Sequence, residues 1–451
     1  MINTRNNIFL YPIDRLLYKT VEFLFGIAGA ILPPKISAKL QKYKANSTLY
    51  NVIGLSIFNA LGGLLLMFTN VKLANVLGAA VFGLYSYYLA IGEVGANFVR
   101  YGRHKTMVRD LIQKPKKRDS LIAHTFVLGC LNLLIYIVII LLFHKPLDVD
   151  LTLTCLLLCI SPCLISVDFQ PVYESLRLMS WHSIYYLIQK FIFLSLLWCT
   201  LIIWGKITLA KISVYLFISW IFILLVQYQE IISELNIKIF SNIKLANLWA
   251  LYKENFLIAL SCMFGVAFGP LIRLVLKNYV DASAVGIYAA GMQIYILSQF
   301  LMHQVGRVGN PTMAEAGKSD CGIDKRRRLV KQYVFIMLIA SIPFAVPMFI
   351  IPKTIVSLFF TAEYAQLSSY LPILGIYLIA ISIGVVFTQF LISMRQDKTY
   401  FMLYASASIA TILFAFMLIP LYGVLGAYLT LCLPHSFVCI LYFVFSIKYL
   451  R

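Results

Sequence analysis

Charged side chains are scarce in this chain, and acidic ones are the scarcest. Of its 451 residues, 12% are charged and 61% are hydrophobic, and 18 Asp and Glu stand against 38 Lys and Arg. Soluble domains carry about 25% charged and about 45–50% apolar residues. A soluble globular domain and a disordered chain are therefore excluded, and the composition indicates an integral membrane protein.

The residue patterns of a disulfide-linked protein, an ATP-driven transporter or a metalloprotein are also missing. The nine Cys are odd in number and lie mostly inside apolar runs, so no disulfide framework is indicated. The sequence contains no phosphate-binding loop of the P-loop type, and its six His are scattered. The sequence therefore predicts no cofactor and no metal site.

What the chain does have is a series of long hydrophobic runs, each near the roughly 20 residues that a membrane-spanning helix needs. Twelve candidate spans cover residues 50–69, 79–99, 121–143, 151–169, 184–204, 212–232, 255–275, 285–305, 333–351, 371–392, 401–419 and 424–446. The predicted fold is therefore an all-α polytopic membrane protein. An even number of spans places both termini on the same side of the membrane.

The basic residues identify that side. Thirty of the 38 Lys and Arg lie in the segments on the side of the termini, and six lie in the opposite loops. This asymmetry predicts that both termini are cytoplasmic. The net charge of +20 is then topogenic charge beside anionic lipid head groups, and no nucleic-acid partner is predicted.

An internal repeat divides the spans into two halves. The segments 73–85 and 276–288 are offset by 203 residues and share residues at five matched positions. Each segment lies between the first and second span of a six-span half, and halves of six spans share one orientation. The predicted organisation has four parts: an interfacial N-terminal extension at 1–47, a first half at 48–232, a cytoplasmic linker at 233–254 and a second half at 255–451.

Four stretches carry a resemblance to a known family, and they are residues 77–85, 273–290, 310–315 and 418–427. The chain resembles the O-antigen type polysaccharide flippases, which export lipid-linked oligosaccharides and belong to the multidrug/oligosaccharidyl-lipid/polysaccharide exporter superfamily. One departure is Ile272, since many members carry an acidic residue just before the arginine of span seven.

The resemblance implies a MATE-like pair of six-helix halves around a central cavity, in the bacterial inner membrane. It implies transport of a polyprenyl-pyrophosphate-linked oligosaccharide to the external leaflet, driven by a proton or sodium gradient. The implied partners are membrane lipids, a polysaccharide polymerase and glycosyltransferases.

Basic residues inside spans are the first candidates for a site, because charge within the membrane is costly and usually functional. Arg273 lies in span seven, and its guanidinium group has the geometry to pair with phosphate oxygens. Lys190 lies near the cytoplasmic end of span five. For both residues the alternative is snorkelling toward an interface.

Span two carries a polar stripe. Ser86, Glu93, Asn97 and Arg100 are spaced by seven, four and three residues, which places them on one helical face toward a cavity or another helix. Glu93 is a candidate for ion coupling, and Asn97 and Arg100 are candidates for substrate binding. The alternative for Glu93 is a structural pair with a basic neighbour such as Arg100 or one on another helix.

Span eight carries a comparable stripe of Tyr288, Tyr295, Gln299 and His303, of which the last three are candidate substrate ligands. The repeat offset matches Arg100 with His303, so both are expected at the cytoplasmic mouth. Asp168 ends span four and is a second candidate for ion coupling, although its position favours a local ion pair in a cytoplasmic elbow.

Two alternatives to a flippase remain open. A multidrug cation antiporter of the same superfamily is expected to carry buried carboxylates facing its drug, whereas the charges inside the spans here include Arg273 and Lys190. A membrane glycan polymerase or ligase is expected to have a large external catalytic loop. The longest external loop here, 352–370, holds only two charged residues. The sequence therefore favours a transporter over an enzyme.

Overall fold

The computed structural model describes residues 47–113, 115–176, 179–235, 243–316, 322–394 and 396–450. Within these ranges the regular structure is entirely helical and includes no strand. The predicted all-α class is confirmed. Apart from its last residue, the N-terminal extension 1–47 lies outside the described residues, and its interfacial helix stays a prediction.

The described α-helices are α1 (Ser47–Arg100), α2 (Arg103–Gln113), α3 (Arg118–Phe143), α4 (Leu153–Leu164), α5 (Gln170–Ser175), α6 (Met179–Trp204), α7 (Leu209–Leu235), α8 (Leu245–Phe264), α9 (Pro270–Tyr279), α10 (Ala282–Ala316), α11 (Ile323–Ile350), α12 (Pro352–Phe359), α13 (Leu371–Ser393), α14 (Asp397–Tyr422) and α15 (Val424–Ile447). Short 3₁₀ segments occupy Pro115–Lys117, Ile165–Val167, Gly265–Phe268 and Ala362–Ser369.

The predicted spans coincide with these helices. In the described ranges, nine helices are long and apolar enough to cross a membrane, and the bent pair Leu245–Phe256 and Ile258–Phe268 makes a tenth span when it is taken together. Predicted spans one and two share α1, which is interrupted at Gly78. Predicted span eight lies within α10.

The chain reverses direction at Gly78. Its φ of +74° lies in the left-handed region that glycine adopts most readily. Asn70, in the first arm of α1, donates a hydrogen bond to Gln293 (3.1 Å), while Gly83 in the second arm packs against Ala282 at the start of α10. Both arms therefore run beside α10 from a common point. We call the end that holds Gly78 the turn end, and the opposite end the Arg100 end.

Two glycines bring the halves together at the turn end. A Cβ atom added at Gly83 would lie 1.7 Å from the carbonyl oxygen of Ala282, and one added at Gly286 would lie 2.0 Å from that of Ala79. Glycine is thus required at both positions for the backbones to approach so closely. The repeat offset of 203 residues relates the two contacts, so they obey a pseudo-two-fold axis between the halves.

A set of hydrogen bonds, the turn clasp, joins α1 to the 3₁₀ segment after α12. Asn75 donates from Nδ2 to the carbonyl oxygen of Phe359 (2.8 Å) and accepts from the backbone N–H of Thr361 (3.1 Å). The Glu363 carboxylate accepts from the backbone N–H of Ala79 (2.9 Å). Because the donors and acceptors come from both halves, the turn clasp closes the turn end.

A second contact at the turn end occupies a position in the other half that corresponds to the turn clasp. Lys277 of α9 forms an ion pair with Asp148, in the loop between α3 and α4. The Lys277 ammonium also lies 5.6 Å from the ring centroid of Tyr87. The loop after α3 therefore docks on the second half, as the segment after α12 docks on the first.

The seventh span belongs to both halves. Near the Arg100 end, α8 packs on the first half, where Asn255 accepts a hydrogen bond from Thr106 (2.7 Å) and the Tyr252 hydroxyl donates to Asn132. The helix then breaks through a 3₁₀ turn, and Pro270 starts α9, which packs against α10, α14 and α15 of the second half as well as α1. This break sets the position of Arg273.

Candidate functional site

A cavity of about 620 Å³ lies between the two halves. Its wall comes from both arms of α1, from α4, α6 and α7 of the first half, and from α9, α10 and the break in span seven. The polar and aromatic side chains on this wall include Asn70, Tyr85, Ser86, Glu93, Asn97, Arg100, Tyr186, Gln189, Lys190, Trp220, Arg273, Tyr288 and Gln293.

The polar stripe of span two faces this cavity. Ser86, Glu93, Asn97 and Arg100 all lie on the wall, as expected for spacings near multiples of the helical repeat. The Asn97 amide donates to the backbone carbonyl of Glu93 (3.0 Å). The stripe thus supplies one polar face of the site from a single helix.

Arg273 reaches this stripe from the other half. Its Nη1 donates to the backbone carbonyl of Ser86 (3.2 Å), and its Nη2 donates to the Glu93 carboxylate. The Arg273 side chain is 16% exposed and that of Glu93 is 42% exposed. The pair therefore joins the two halves across the cavity, and the partner of Glu93 is Arg273 rather than Arg100.

Lys190 and Arg100 carry positive charge without a carboxylate partner among the described residues. The Lys190 ammonium lies 4.7 Å from the ring centroid of Tyr186. Arg100 donates one hydrogen bond to the backbone carbonyl of Ile165 (3.3 Å). Both cations lie on the wall contributed by the first half, and both retain N–H groups for a ligand.

The charge of the described wall is therefore positive. It holds three cationic side chains and one carboxylate, and that carboxylate is already engaged by Arg273. Pairing and hydrogen bonding decide whether a charge out of bulk water is tolerated, so the unpaired cations favour an anionic ligand.

The remaining predicted residues lie elsewhere. Tyr295 is buried with its ring 5.1 Å from that of Tyr377, and Gln299 donates to the Tyr295 hydroxyl; neither residue lines the cavity. The side chain of His303 lies outside the described residues. Asp168 is hydrogen-bonded to His182 (2.8 Å) and does not line the cavity.

The sequence did not single out several residues that the fold brings to the cavity. Trp220 of α7 packs its ring 5.2 Å from that of Tyr186 on α6. Asn70 and Gln293 meet across the halves. An aromatic or amide side chain in a long apolar run gives no periodic signal of its own, so only the packing of the helices identifies these residues.

Comparison with solved structures assigns the architecture. The inward-facing conformation of a multidrug resistance MATE family transporter of the MOP superfamily matches with a TM-score of 0.68 and 12% identity, over 88% of this chain and 94% of that chain. The lipid II flippase MurJ in its inward closed conformation matches with a TM-score of 0.68 and 15% identity, over 88% and 87%. The chain has the MATE-like fold of these membrane transporters and flippases.

Sequence comparison places the chain in a family. Residues 48–316, more than half of the chain, match the family described as Polysaccharide biosynthesis protein, and the chain belongs to that family. It is 24% identical over 214 residues to the capsular polysaccharide biosynthesis protein CapF of Staphylococcus aureus. That match covers 47% of this chain and 53% of CapF, so the chain spans about half the length of this curated relative.

Proposed function

We propose that this chain flips polyprenyl-pyrophosphate-linked oligosaccharide units from the cytoplasmic to the external leaflet of a bacterial inner membrane, for surface polysaccharide biosynthesis. The observation that carries the proposal is the pair of unpaired cations, Lys190 and Arg100, on the wall of a cavity between two halves. The family and the MurJ-like fold support the same substrate class.

The orientation in the proposal follows from the distribution of basic residues. The positive-inside rule makes the Arg100 end cytoplasmic, with both termini on that side. The turn end is then external, and there the glycine contacts and the turn clasp close the path. This arrangement suits loading of a substrate from the cytoplasmic leaflet.

The cations are staggered along the path that an anionic head group would follow. Arg100 lies seven residues beyond Glu93 on α1, about 10 Å further toward the Arg100 end at 1.5 Å per residue. Lys190 packs against Gly62, 16 residues before Gly78, which is about level with Glu93. A pyrophosphate group entering from the cytoplasm would therefore meet Arg100 first and Lys190 next, with Asn97 between the two charges.

The Glu93–Arg273 pair provides a way to couple transport to an ion gradient. A phosphate oxygen that reaches Arg273 competes with the Glu93 carboxylate for the same N–H groups. Glu93, once displaced, is free to take up a proton or to bind sodium. When Glu93 releases that ion, its carboxylate pairs with Arg273 again. Asp168, hydrogen-bonded to His182, is the second candidate for the coupled ion.

The proposal extends to partners. A flipped oligosaccharide unit must be supplied by glycosyltransferases on the cytoplasmic side and consumed by a polymerase on the external side, so both are expected to work beside this chain. Membrane lipids contact the many exposed apolar side chains, such as Ile202 and Leu358, which are 78% and 74% exposed.

The alternative function is export of cationic drugs, since the MATE neighbour is a multidrug transporter. A cationic drug would need an available carboxylate in the cavity. Among the described wall residues the only carboxylate is Glu93, and Arg273 occupies it. The charge of the cavity therefore supports the anionic substrate over the cationic one.

The test is to delete the coding sequence in its host and to restore it with wild-type protein. We expect loss of surface polysaccharide, together with lipid-linked oligosaccharide that impermeant periodate does not oxidise in intact spheroplasts, because the glycan stays on the cytoplasmic leaflet. Wild-type protein should restore both the polymer and the oxidation. Intact surface polysaccharide combined with increased drug sensitivity would instead establish the multidrug alternative.

A further inference from the structure

Two residues that line the cavity each have a buried polar atom with no hydrogen-bond partner in the described part of the chain. The two atoms are the hydroxyl oxygen of Tyr288 and the side-chain carbonyl oxygen of Asn70. Tyr288 is only 1% exposed. Leaving such an atom unpaired costs about 1–3 kcal/mol, so each one needs a ligand or a bound water to explain it.

Both atoms lie nearer the closed turn end than the unpaired cations do. Asn70 is eight residues from Gly78, about 12 Å along the helix, and Tyr288 is six residues from Ala282 at the glycine contact, about 9 Å. By the same measure, Arg100 is about 33 Å from Gly78. The cavity is thus neutral and polar at its closed end and cationic toward the Arg100 end.

The chemistry of the unpaired atoms selects their ligand. The Asn70 oxygen only accepts hydrogen bonds, so it repels a phosphate oxygen and suits a hydroxyl donor. The Tyr288 hydroxyl can both donate and accept hydrogen bonds. The nearby Arg273 is already paired with Glu93, so it adds no unpaired charge at Tyr288. Sugar hydroxyl groups both donate and accept hydrogen bonds, and they carry no charge.

Building on the proposed function, we propose that Tyr288 and Asn70 form a glycan subsite. In the state described, with the turn end closed, this subsite holds the outermost sugar of the lipid-linked oligosaccharide, while the pyrophosphate is at Lys190 and Arg100 and has not yet reached Arg273. The substrate therefore enters sugar first, and its lipid tail never leaves the bilayer. Gln293, hydrogen-bonded to Asn70 across the halves, positions the Asn70 oxygen.

The experiment compares two lipids on the purified full-length protein in nanodiscs. One probe is undecaprenyl pyrophosphate, and the other is the lipid-linked glycan extracted from the host strain that lacks this chain. For Tyr288→Phe and for Asn70→Leu, we expect binding of the glycan-bearing lipid to weaken about 3- to 10-fold, the range for one neutral hydrogen bond. Binding of undecaprenyl pyrophosphate should not change.

The matched control is Tyr442→Phe. The Tyr442 hydroxyl is also buried without a partner in the described residues, but it does not line the cavity, so its removal should leave both affinities unchanged. Tyr288→Phe retains the ring that packs 5.1 Å from Tyr428, and a thermal melt checks that each variant is folded.

Two outcomes would overturn the glycan subsite. Equal weakening for both lipids would assign Tyr288 and Asn70 to the pyrophosphate, and unchanged binding of both lipids would show that neither atom contacts the substrate. A wild-type protein that binds neither lipid would refute the proposed function itself, which is a separate result.

Discussion

Lys190 and Lys211 both hold their ammonium groups against an aromatic ring, 4.7 Å from Tyr186 and 4.4 Å from Trp204. Only Lys190 lines the cavity. The two lysines therefore share one local contact and differ in their access to a substrate. Comparing them separates the contribution of charge in the cavity from that of a cation lying over a ring.

Removing the charge of Lys190 should impair export specifically. For Lys190→Met we expect at least about a tenfold loss, because a hydrogen bond between charged groups contributes about 1.5–3 kcal/mol. Lys190→Arg should retain part of the activity, and Lys211→Met should stay within about twofold of wild type. The measurement is surface polysaccharide restored to the deletion host, normalised to protein in the membrane. Wild-type export by Lys190→Met would remove Lys190 from the substrate path.

Residue patterns singled out the polar face of span two and the cations Arg273 and Lys190, all of which line the cavity, but not the pairing between Glu93 and Arg273. The spacing of Ser86, Glu93, Asn97 and Arg100 placed a polar face on span two, because residues three, four and seven apart share a helical face. The ion pair between Glu93 and Arg273 joins residues 180 positions apart, so only the packing of α9 against α1 reveals it. Because of that pairing, the proposed function assigns the first contact with phosphate to the unpaired cations, whereas the sequence favoured Arg273.

Among the elements, the segment after α12 has the clearest mechanical role. Its Glu363 accepts the Ala79 N–H beside the reversal at Gly78, and the Tyr364 hydroxyl donates to the carbonyl oxygen of Ala74 (3.0 Å). Burial raises the pKa of the Tyr364 phenol, with Glu363 adding to the shift, so this hydroxyl keeps its proton and remains a donor at neutral and alkaline pH.

Weakening the turn clasp should favour opening of the turn end. Each hydrogen bond contributes about 1 kcal/mol, so Glu363→Ala, which removes one, should raise the open population about fivefold, and Asn75→Ala, which removes two, about 30-fold. The measurement is the distance distribution between spin labels at exposed Leu151 and Leu421, which lie on different halves, after replacement of the nine native Cys.

The control for the turn clasp is Glu254→Ala, since Glu254 is an exposed carboxylate on α8. It should leave the distances between the labels unchanged. Distributions that are identical for Glu363→Ala and wild type would mean that the turn clasp does not hold the closed state.

The elements themselves were largely predictable from the sequence. A bilayer requires about 20 apolar residues and full backbone pairing in each span, so hydropathy alone locates the helices. The reversal within α1 and the division of span seven between the halves were harder to predict from the sequence. Both depend on local backbone geometry, at Gly78 and at the Gly265–Phe268 turn, together with contacts to distant helices.

On the scale of the whole molecule, the pseudo-two-fold axis passes through the glycine contacts. Gly83 lies against Ala282, and Gly286 lies against Ala79, with both pairs at the turn end. An added Cβ atom would overlap a backbone carbonyl, which cannot rotate away as a side chain can. Closing the turn end therefore depends on two positions that are far apart in sequence and equivalent by symmetry.

Alanine at either glycine should prevent closure of the turn end and reduce export to a similar extent. We expect Gly83→Ala and Gly286→Ala each to lower export at least about fivefold, since overpacking of this kind typically costs about 1–3 kcal/mol. Gly129→Ala is the control, because the nearest atom to its added Cβ is 3.7 Å away. Restored surface polysaccharide is the readout, and a strong defect in only one of the two variants would contradict their equivalence.

The paired glycine contact has the form of an isologous interface, in which the same surface serves as both partners. Gly83 contacts Ala282, which is the residue equivalent to Ala79 in the second half. Gly286 contacts Ala79 in the same way, so the two contacts are equivalent by symmetry. The two halves of this protein are thus related as the subunits of a homodimer are, with the linker between them replacing free association.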